Sequence, residues 1–368
     1  MAIVLIQMPT VKSAPAVRPK QCPYCGSELL QRWGTVCKPL RDTDLEVAQV
    51  QAYRFRCTEC GRTFRWYPEG VDKADMSQRL RGLAAMAWRM GLSLRGVGTI
   101  FSVFGAPVSR MSVWRVVQEG AKQRKAQIQT QIQAQHSRPE HKVRVLGVDG
   151  AWVRLNGKTV GVMVAVDMGD GHLLKMEVVD EHDPRAVKRW LQPLVQELGV
   201  QVMVTDDLNL YEGVAKELGI ERQVCVFHML RWVGKAVREL EKSIREWWPQ
   251  HLWVLGEVKR LVEELPEEGD RLLMQLWQRV NRECGGRPSM QEATPLQRLA
   301  GLLIKLCEHW PRYRLYLTEH GKSLGVPATN NLTEQMIGNG KVRSRTVRGY
   351  KSRDGLMAAF TLCALRLA

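Results

Sequence analysis

Three acidic residues stand where a catalytic metal would need them. Asp149 ends the apolar run Val143-Arg-Val-Leu-Gly-Val148, and Asp206 ends a second, Val200-Gln-Val-Met-Val-Thr205. Glu334 lies far downstream in Ala328-Thr-Asn-Asn-Leu-Thr-Glu334-Gln. Two aspartates at strand ends plus a distant glutamate can cage hard divalent cations. Mg²⁺ or Mn²⁺ takes oxygen ligands and keeps several waters, so two or three carboxylates suffice when phosphates complete the shell. Two such ions can activate a water or a 3′-hydroxyl and steady the departing oxygen of an in-line displacement. In that arrangement Asp149 bridges both ions, Asp206 ligates one and Glu334 the other. Without metal, the clustered carboxylates would repel one another. Each acid also has an ordinary role open to it. Asp149 before Gly150 can open a turn, Asp206 or Asp207 can cap the following helix, and Glu334 resembles a first-turn residue. Asp206 directly follows the apolar run and is read as the ligand, Asp207 as the cap, with the exchange left open.

The acids need a frame that brings them together. Residues 143–228 read as β-β-β-α-β-α-β. Strands are expected at 143–148, 159–167 and 172–179, the last two joined by the Gly169-Asp-Gly171 turn. A helix over 183–198 carries Pro184 in its first turn, followed by a strand at 200–205, a helix at 208–218 and a strand at 222–227. The first three strands form a meander, and the later ones return by helical crossovers parallel to the first. Ligands of such a mixed sheet gather beyond the carboxyl ends of its parallel strands, where Asp149 and Asp206 should sit side by side. Residues 229–326, rich in Leu, Arg, Glu and Trp, read as an all-α insertion. The loop through Asn330 and Asn331 then re-enters the core, 327–368, and caps a final helix carrying Glu334.

The front of the chain suits a polyanion. The 368 residues carry 54 Lys+Arg against 38 Asp+Glu, a net charge of +16, and neutralising phosphates with such cations releases counterions. After a disordered tail over 1–20, residues 21–70 hold two matched pairs, Cys22-Pro-Tyr-Cys25-Gly and Cys57-Thr-Glu-Cys60-Gly. Each pair can wrap one side of a tetrahedral zinc ion, giving a zinc ribbon with one structural Zn²⁺. Residues 74–123 read as three helices in a helix-turn-helix arrangement whose third helix would enter a major groove. Ser109, Arg110, Ser112 and Arg115 are its candidate DNA-facing residues, and 124–142 forms a linker helix. Past Glu334, Lys341, Arg343, Arg345, Arg348 and Lys351 form a basic run that would lie along a DNA backbone. No apolar run reaches the ~20 residues of a membrane span, and the opening MAIVLIQM lacks the features of a secretory signal, so a cytoplasmic, nucleoid-associated protein with no membrane partner is expected.

Cys225-Val-Phe-His228 closes the last of these strands. A Cys/His pair can bind zinc, but no second pair of ligands stands nearby, so His228 is read as a hydrogen-bonding residue near the site or a brace for the insertion.

Taken together, Asp149, Asp206, Cys225-x-x-His228, the helical insertion and Thr329-Asn-Asn-x-x-Glu334 resemble the DDE transposases of bacterial insertion sequences, the Mutator-related group and its relatives in particular. Asp207 departs from that pattern, standing where a glycine is common. The resemblance implies a ribonuclease H-like catalytic domain with Asp149, Asp206 and Glu334 as its triad. It also implies cutting at element ends and joining of the freed 3′-hydroxyls to target DNA. Double-stranded DNA, both terminal inverted repeats and target, is then the partner, engaged by a homodimer or higher oligomer. The alternatives are a domesticated transposase acting as a non-catalytic DNA-binding regulator and a metal-dependent nuclease or resolvase on the same fold.

Overall fold

The structure, a computed structural model, describes residues 10–136, 143–284 and 293–363. The first nine residues of the expected tail and residues 137–142 of the expected linker lie outside them. The chain divides into two compact units, one of Met1–Gln127, Arg154–Gly157 and Asn339–Ala368, the other of Ile128–Val153 and Lys158–Gly338.

In the first unit, β1 (Leu30–Pro39), β2 (Gln49–Cys57) and β3 (Thr63–Trp66) form an antiparallel sheet in that order. Residues 10–20 do not behave as the free tail expected of them. The Lys12 N–H donates to Glu69 O, the Gln51 N–H to Ser13 O, and the Trp66 indole to Val17 O. Three helices follow: α1 (Gln78–Arg89), α2 (Leu94–Val103) and α3 (Arg110–His136). The Ser77 and Ser93 side chains accept the N–H groups of Leu80 and Gly96, so each short helix starts on a serine cap. Ser109 does the same for α3 through the Ser112 N–H. No break separates a recognition helix from a linker at 123/124, because α3 is one continuous helix to His136.

The second unit is built on a five-stranded sheet ordered β6-β5-β4-β7-β8. These are β4 (Val145–Leu155), β5 (Lys158–Asp167), β6 (Leu173–Val178), β7 (Val202–Thr205) and β8 (Glu221–Val224). β5 and β6 pair antiparallel, while β4, β7 and β8 run parallel, joined by crossovers through α4 (Pro184–Leu198) and α5 (Leu210–Leu218). β4 outruns its expected end at Val148 because Asn156 (φ 49°) and Gly157 (φ 80°) form a tight hairpin turn that returns directly into β5.

The insertion is helical as expected but begins earlier, with α6 (Val226–Trp247). After it come α7 (Leu252–Glu264), α8 (Gly269–Asn281), α9 (Pro295–Arg314) and α10 (Glu319–Leu324). Leu324 of α10 packs on the cluster of Val145, Val202 and Val204, while α6 to α9 surround one apolar core. Trp310 is its largest fully buried member, donating its indole N–H to Pro266 O at 3.1 Å. A side chain on Gly269 would collide with its ring. Trp310→Ala should therefore cost about 3–5 kcal/mol, read as a lowered unfolding midpoint, whereas the same change at Trp247, 67 % exposed, should cost little. Gln223 binds insertion to sheet: its amide donates to Tyr313 O at 3.2 Å and accepts the Tyr316 N–H at 3.0 Å. The chain re-enters through α11 (Asn331–Thr346), and α12 (Arg353–Cys363), which follows the helix expected to be last, belongs to the first unit.

Candidate active site

Parallel pairing fixes the two aspartates. β4 and β7 are in register at Val145↔Val202 and Gly147↔Val204. Two residues further along the chain stand Asp149, in β4, and Asp206, just past the end of β7, so they leave the paired region together. Asp149 lies within β4 rather than at its end, but the pairing with β7 does stop before it. Its carboxylate accepts the Gly150 N–H at 2.7 Å, and that of Asp206 accepts the Leu208 N–H at 3.3 Å. Buried Arg222 holds the loop after β7, donating to the carbonyls of Asp206 (2.7 Å) and Leu208 (3.1 Å).

The glutamate comes in through Asn330. That buried side chain donates to Val148 O at 2.9 Å, next to Asp149, while its backbone N–H donates to Cys225 Sγ at 3.4 Å. One turn on, the Glu334 N–H bonds Asn330 O at 3.1 Å, so Glu334 rides the first turn of α11. Asn331 is exposed. Gly147 permits this approach, since a Cβ there would overlap the Thr333 hydroxyl, the Met168 sulfur and the Asn330 side chain. Cys225 and His228 do not close a strand. β8 ends at Val224, Cys225 precedes α6, and His228 occupies that helix's first turn. His228 Nδ1 lies 3.6 Å from Glu334 Oε1.

Charge binds these groups into one site. Burial first, then Asp206 and Glu181, push Asp149 up to about 7 despite the Gly150 N–H and the nearby His228. Burial also raises Asp206. His228 is held up at about 9, first by the neighbouring Cys225 side chain and further by Glu334 and Asp206. A neutral-pH imidazolium thus sits among carboxylates that resist ionising together. Oxygen donors of this kind suit a hard divalent cation. Among the described residues, however, Asp149, Asp206 and Glu334 do not form a group whose ligand atoms all lie within 4.8 Å of one another; Glu334 groups with Cys225 and His228 instead.

Glu181 is a fourth acid here that sequence reasoning missed. It is 3 % exposed, accepts the Tyr211 hydroxyl at 2.7 Å, and is raised chiefly by burial and further by Asp206. A Cβ on Gly150 would overlap its carboxylate. Glu181→Gln should move the pH midpoint of magnesium binding lower, since one of the charges opposing Asp149 ionisation is gone. A magnesium titration across pH reads this, and an unmoved midpoint would detach Glu181 from the site.

Asp207 is not a helix cap. Its carboxylate meets Lys305 Nζ at 2.9 Å, His309 Nδ1 at 3.4 Å and the Tyr313 hydroxyl at 3.4 Å. The residue before α5 is Asn209, which makes no side-chain capping bond. Asp207 therefore ties the strand end to α9. Its carboxyl is lowered despite burial because His309 and Lys305 face it.

In the first unit the four ribbon sulfurs converge, Cys22 and Cys60 at 3.8 Å and Cys25 and Cys57 at 3.6 Å, a cluster able to hold one metal ion. Arg110 and Arg115 are exposed on α3 and Ser112 is half-buried. Arg345, Arg348 and Lys351 are exposed and Lys341 is half-buried. Arg343, expected in the same basic run, is 7 % exposed. Its guanidinium stacks 4.0 Å from the Trp88 ring and donates to Trp88 O and Leu92 O, so it braces α1 and is not free to meet a phosphate.

Residues 78–358 match the sequence profile of the Transposase IS66 family. That is a different group from the Mutator-related one the motifs suggested. The chain is 20 % identical over 229 residues to the "Insertion element ISM1 uncharacterized 48.3 kDa protein" of Methanobrevibacter smithii, covering 59 % of this chain and 53 % of that protein. It thus spans about half the length of this curated relative. A solved structure, the catalytic core domain of BIV integrase, aligns with 44 % of this chain and 97 % of its own at 16 % identity and a TM-score of 0.20.

Proposed function

Because the chain belongs to the IS66 transposase family, we propose that it is the transposase of an insertion sequence, cutting DNA at its element's ends and joining the freed 3′-hydroxyls to target DNA. The observation that carries this reading is the half-buried pair Asp149 and Asp206 where the adjacent parallel strands β4 and β7 stop pairing, with the helix of Glu334 tethered beside them through Asn330.

In this reading the sheet is a ribonuclease H-like core, and Asp149, Asp206 and Glu334 hold Mg²⁺ or Mn²⁺, two ions per site. When bound, such ions activate the attacking oxygen and stabilise the leaving one. In cleavage, a water oxygen bonds to phosphorus, the P–O3′ bond breaks, and the strand leaves with a 3′-hydroxyl. In transfer, that 3′-oxygen bonds to a target phosphorus and displaces the target's own 3′-oxygen. The chain's residues set the stage for both. Asn330 fixes the start of α11 against β4, Arg222 fixes the loop carrying Asp206, and His228 offers a positive charge beside three acids.

The first unit would grip duplex DNA. α2 and α3 act as a helix-turn-helix, with Arg110, Ser112 and Arg115 toward the groove. Lys341, Arg345, Arg348 and Lys351 meet phosphates. One zinc ion in the Cys22, Cys25, Cys57, Cys60 cluster would hold the ribbon. Work on two DNA ends calls for a homodimer or higher oligomer, in the cytoplasm with the nucleoid. Among the described residues no helix is long and apolar enough to cross a membrane.

The test is to incubate the purified chain with Mg²⁺, duplexes bearing the element's terminal inverted repeats, and target plasmid. Strand-transfer products that disappear in Glu334→Gln are expected. Cleavage without joining would instead identify a nuclease, and binding without cleavage a regulator.

A further inference from the structure

The fold supplies what the Cys225-x-x-His228 motif lacked in sequence, a third ligand. One ligand atom each from Cys225, His228 and Glu334 lies within 4.8 Å of the other two. The closest oxygen–nitrogen approach, 3.6 Å between His228 Nδ1 and Glu334 Oε1, is too long for a hydrogen bond, and both atoms are buried without a hydrogen-bond partner. Two ligand atoms sharing a tetrahedral zinc ion at bonds of about 2.0–2.1 Å stand roughly 3.3 Å apart, close to this gap. The sulfur is prepared for such a role. Cys225 is fully buried before the first turn of α6, where the helix dipole favours a thiolate, and it accepts the Asn330 N–H. Hydrogen bonds of this kind from surrounding residues orient metal-binding sulfur.

We propose that Cys225, His228 and Glu334 form a second zinc site, separate from the ribbon, with a water as fourth ligand. Sulfur and imidazole select a soft ion over magnesium, which prefers an all-oxygen shell. A zinc ion seated there takes Glu334 away from Asp149 and Asp206. Free zinc thus acts as an inhibitor that competes through a ligand shared with the magnesium centre. This inhibitory role rests on the proposed catalytic role of Glu334, whereas the binding itself does not.

Binding is therefore measured without DNA. Full-length protein stripped of metal is titrated with Co²⁺ and followed by absorbance. The first equivalent should give the intense charge-transfer band of a four-thiolate site. A second should add a weaker thiolate band with visible bands of a tetrahedral centre. His228→Ala should lose the second step only, with the first step and circular dichroism reporting intact folding. One equivalent only, a second step without a thiolate band, or a second step unchanged in His228→Ala would overturn the site. If the wild-type chain cleaves DNA, added zinc should slow it as the second site fills. Filling without slowing would overturn the inhibitory role and leave the site standing.

Discussion

Asp149→Asn is expected to abolish DNA cleavage and strand transfer while making the metal-free protein harder to unfold. The loss follows from the ligand role proposed for Asp149. An amide carries no charge to hold a divalent ion, and losing several kcal/mol of stabilisation of the developing phosphate charge lowers the rate by roughly 10³-fold or more. The gain follows from burial. Asp149 is pushed up from 3.8 to about 7, so between those values the folded chain holds a proton that the unfolded chain releases. Metal-free stability therefore falls as pH rises through that window, and above it the full cost of an ionised, buried carboxylate is present. Near pH 8 the asparagine removes that cost and still accepts the Gly150 N–H. The full shift corresponds to about 4 kcal/mol, an upper limit because Asp206 and Glu181 share in it. Denaturant unfolding in magnesium-free buffer reads the gain, and added Mg²⁺ should stabilise the wild-type protein but not the variant. A variant that still cleaves would remove Asp149 from the triad. A variant less stable than wild type would contradict the burial picture.

What could be read from the sequence depended on whether the signal was local. Asp149 and Asp206 were legible because each ends an apolar run, a pattern that parallel strands produce without help from distant residues. The Asn156-Gly157 pair carried an equally local hairpin signal, and attention to it would have extended β4 past Asp149. Cys225 was misassigned because Val224-Cys-Val-Phe is a short apolar stretch, and periodicity alone does not distinguish a strand from the first turn of a buried helix. Glu181 sits in the polar stretch Asp180-Glu-His-Asp183, which reads like any solvated turn. Only Tyr211, on the second crossover helix, and the empty space at Gly150 turn it inward. Asp207 likewise looked like a cap because its partners Lys305, His309 and Tyr313 lie on a helix of the insertion. Arg343 is the same case within a charge run. A row of cations says nothing about which one faces Trp88.

Cys57→Ser is expected to unfold the cysteine end of the ribbon while leaving the second unit folded. Around the cysteines the ribbon's apolar core is very small. Its buried members there are Cys22, Leu30, Phe55 and Cys57, so half of that cluster consists of proposed zinc ligands, while Leu40, Val50 and Val71 form a second cluster against the same sheet. Phe55 stacks on Phe64 at 5.9 Å, and Tyr53 packs alongside, but a cluster of this size cannot offset the entropy of ordering three strands. Structural zinc contributes about 10–16 kcal/mol to folding of small modules of this kind, so the metal outweighs every other source of ribbon stability. Cys57 is fully buried in β2, so serine would leave both a missing thiolate and a buried hydroxyl. The variant should bind one zinc fewer than wild type, and amides of 30–35 and 53–66, the cysteine end of the sheet, should lose their protection from hydrogen exchange. Amides of β4, β7 and α9 should keep theirs, since they are held by the separate cores of the second unit. Retained protection at the cysteine end of the ribbon would mean that its few apolar contacts and its arginine–aromatic stacks, such as Arg32 on Tyr53 at 4.1 Å, suffice without metal.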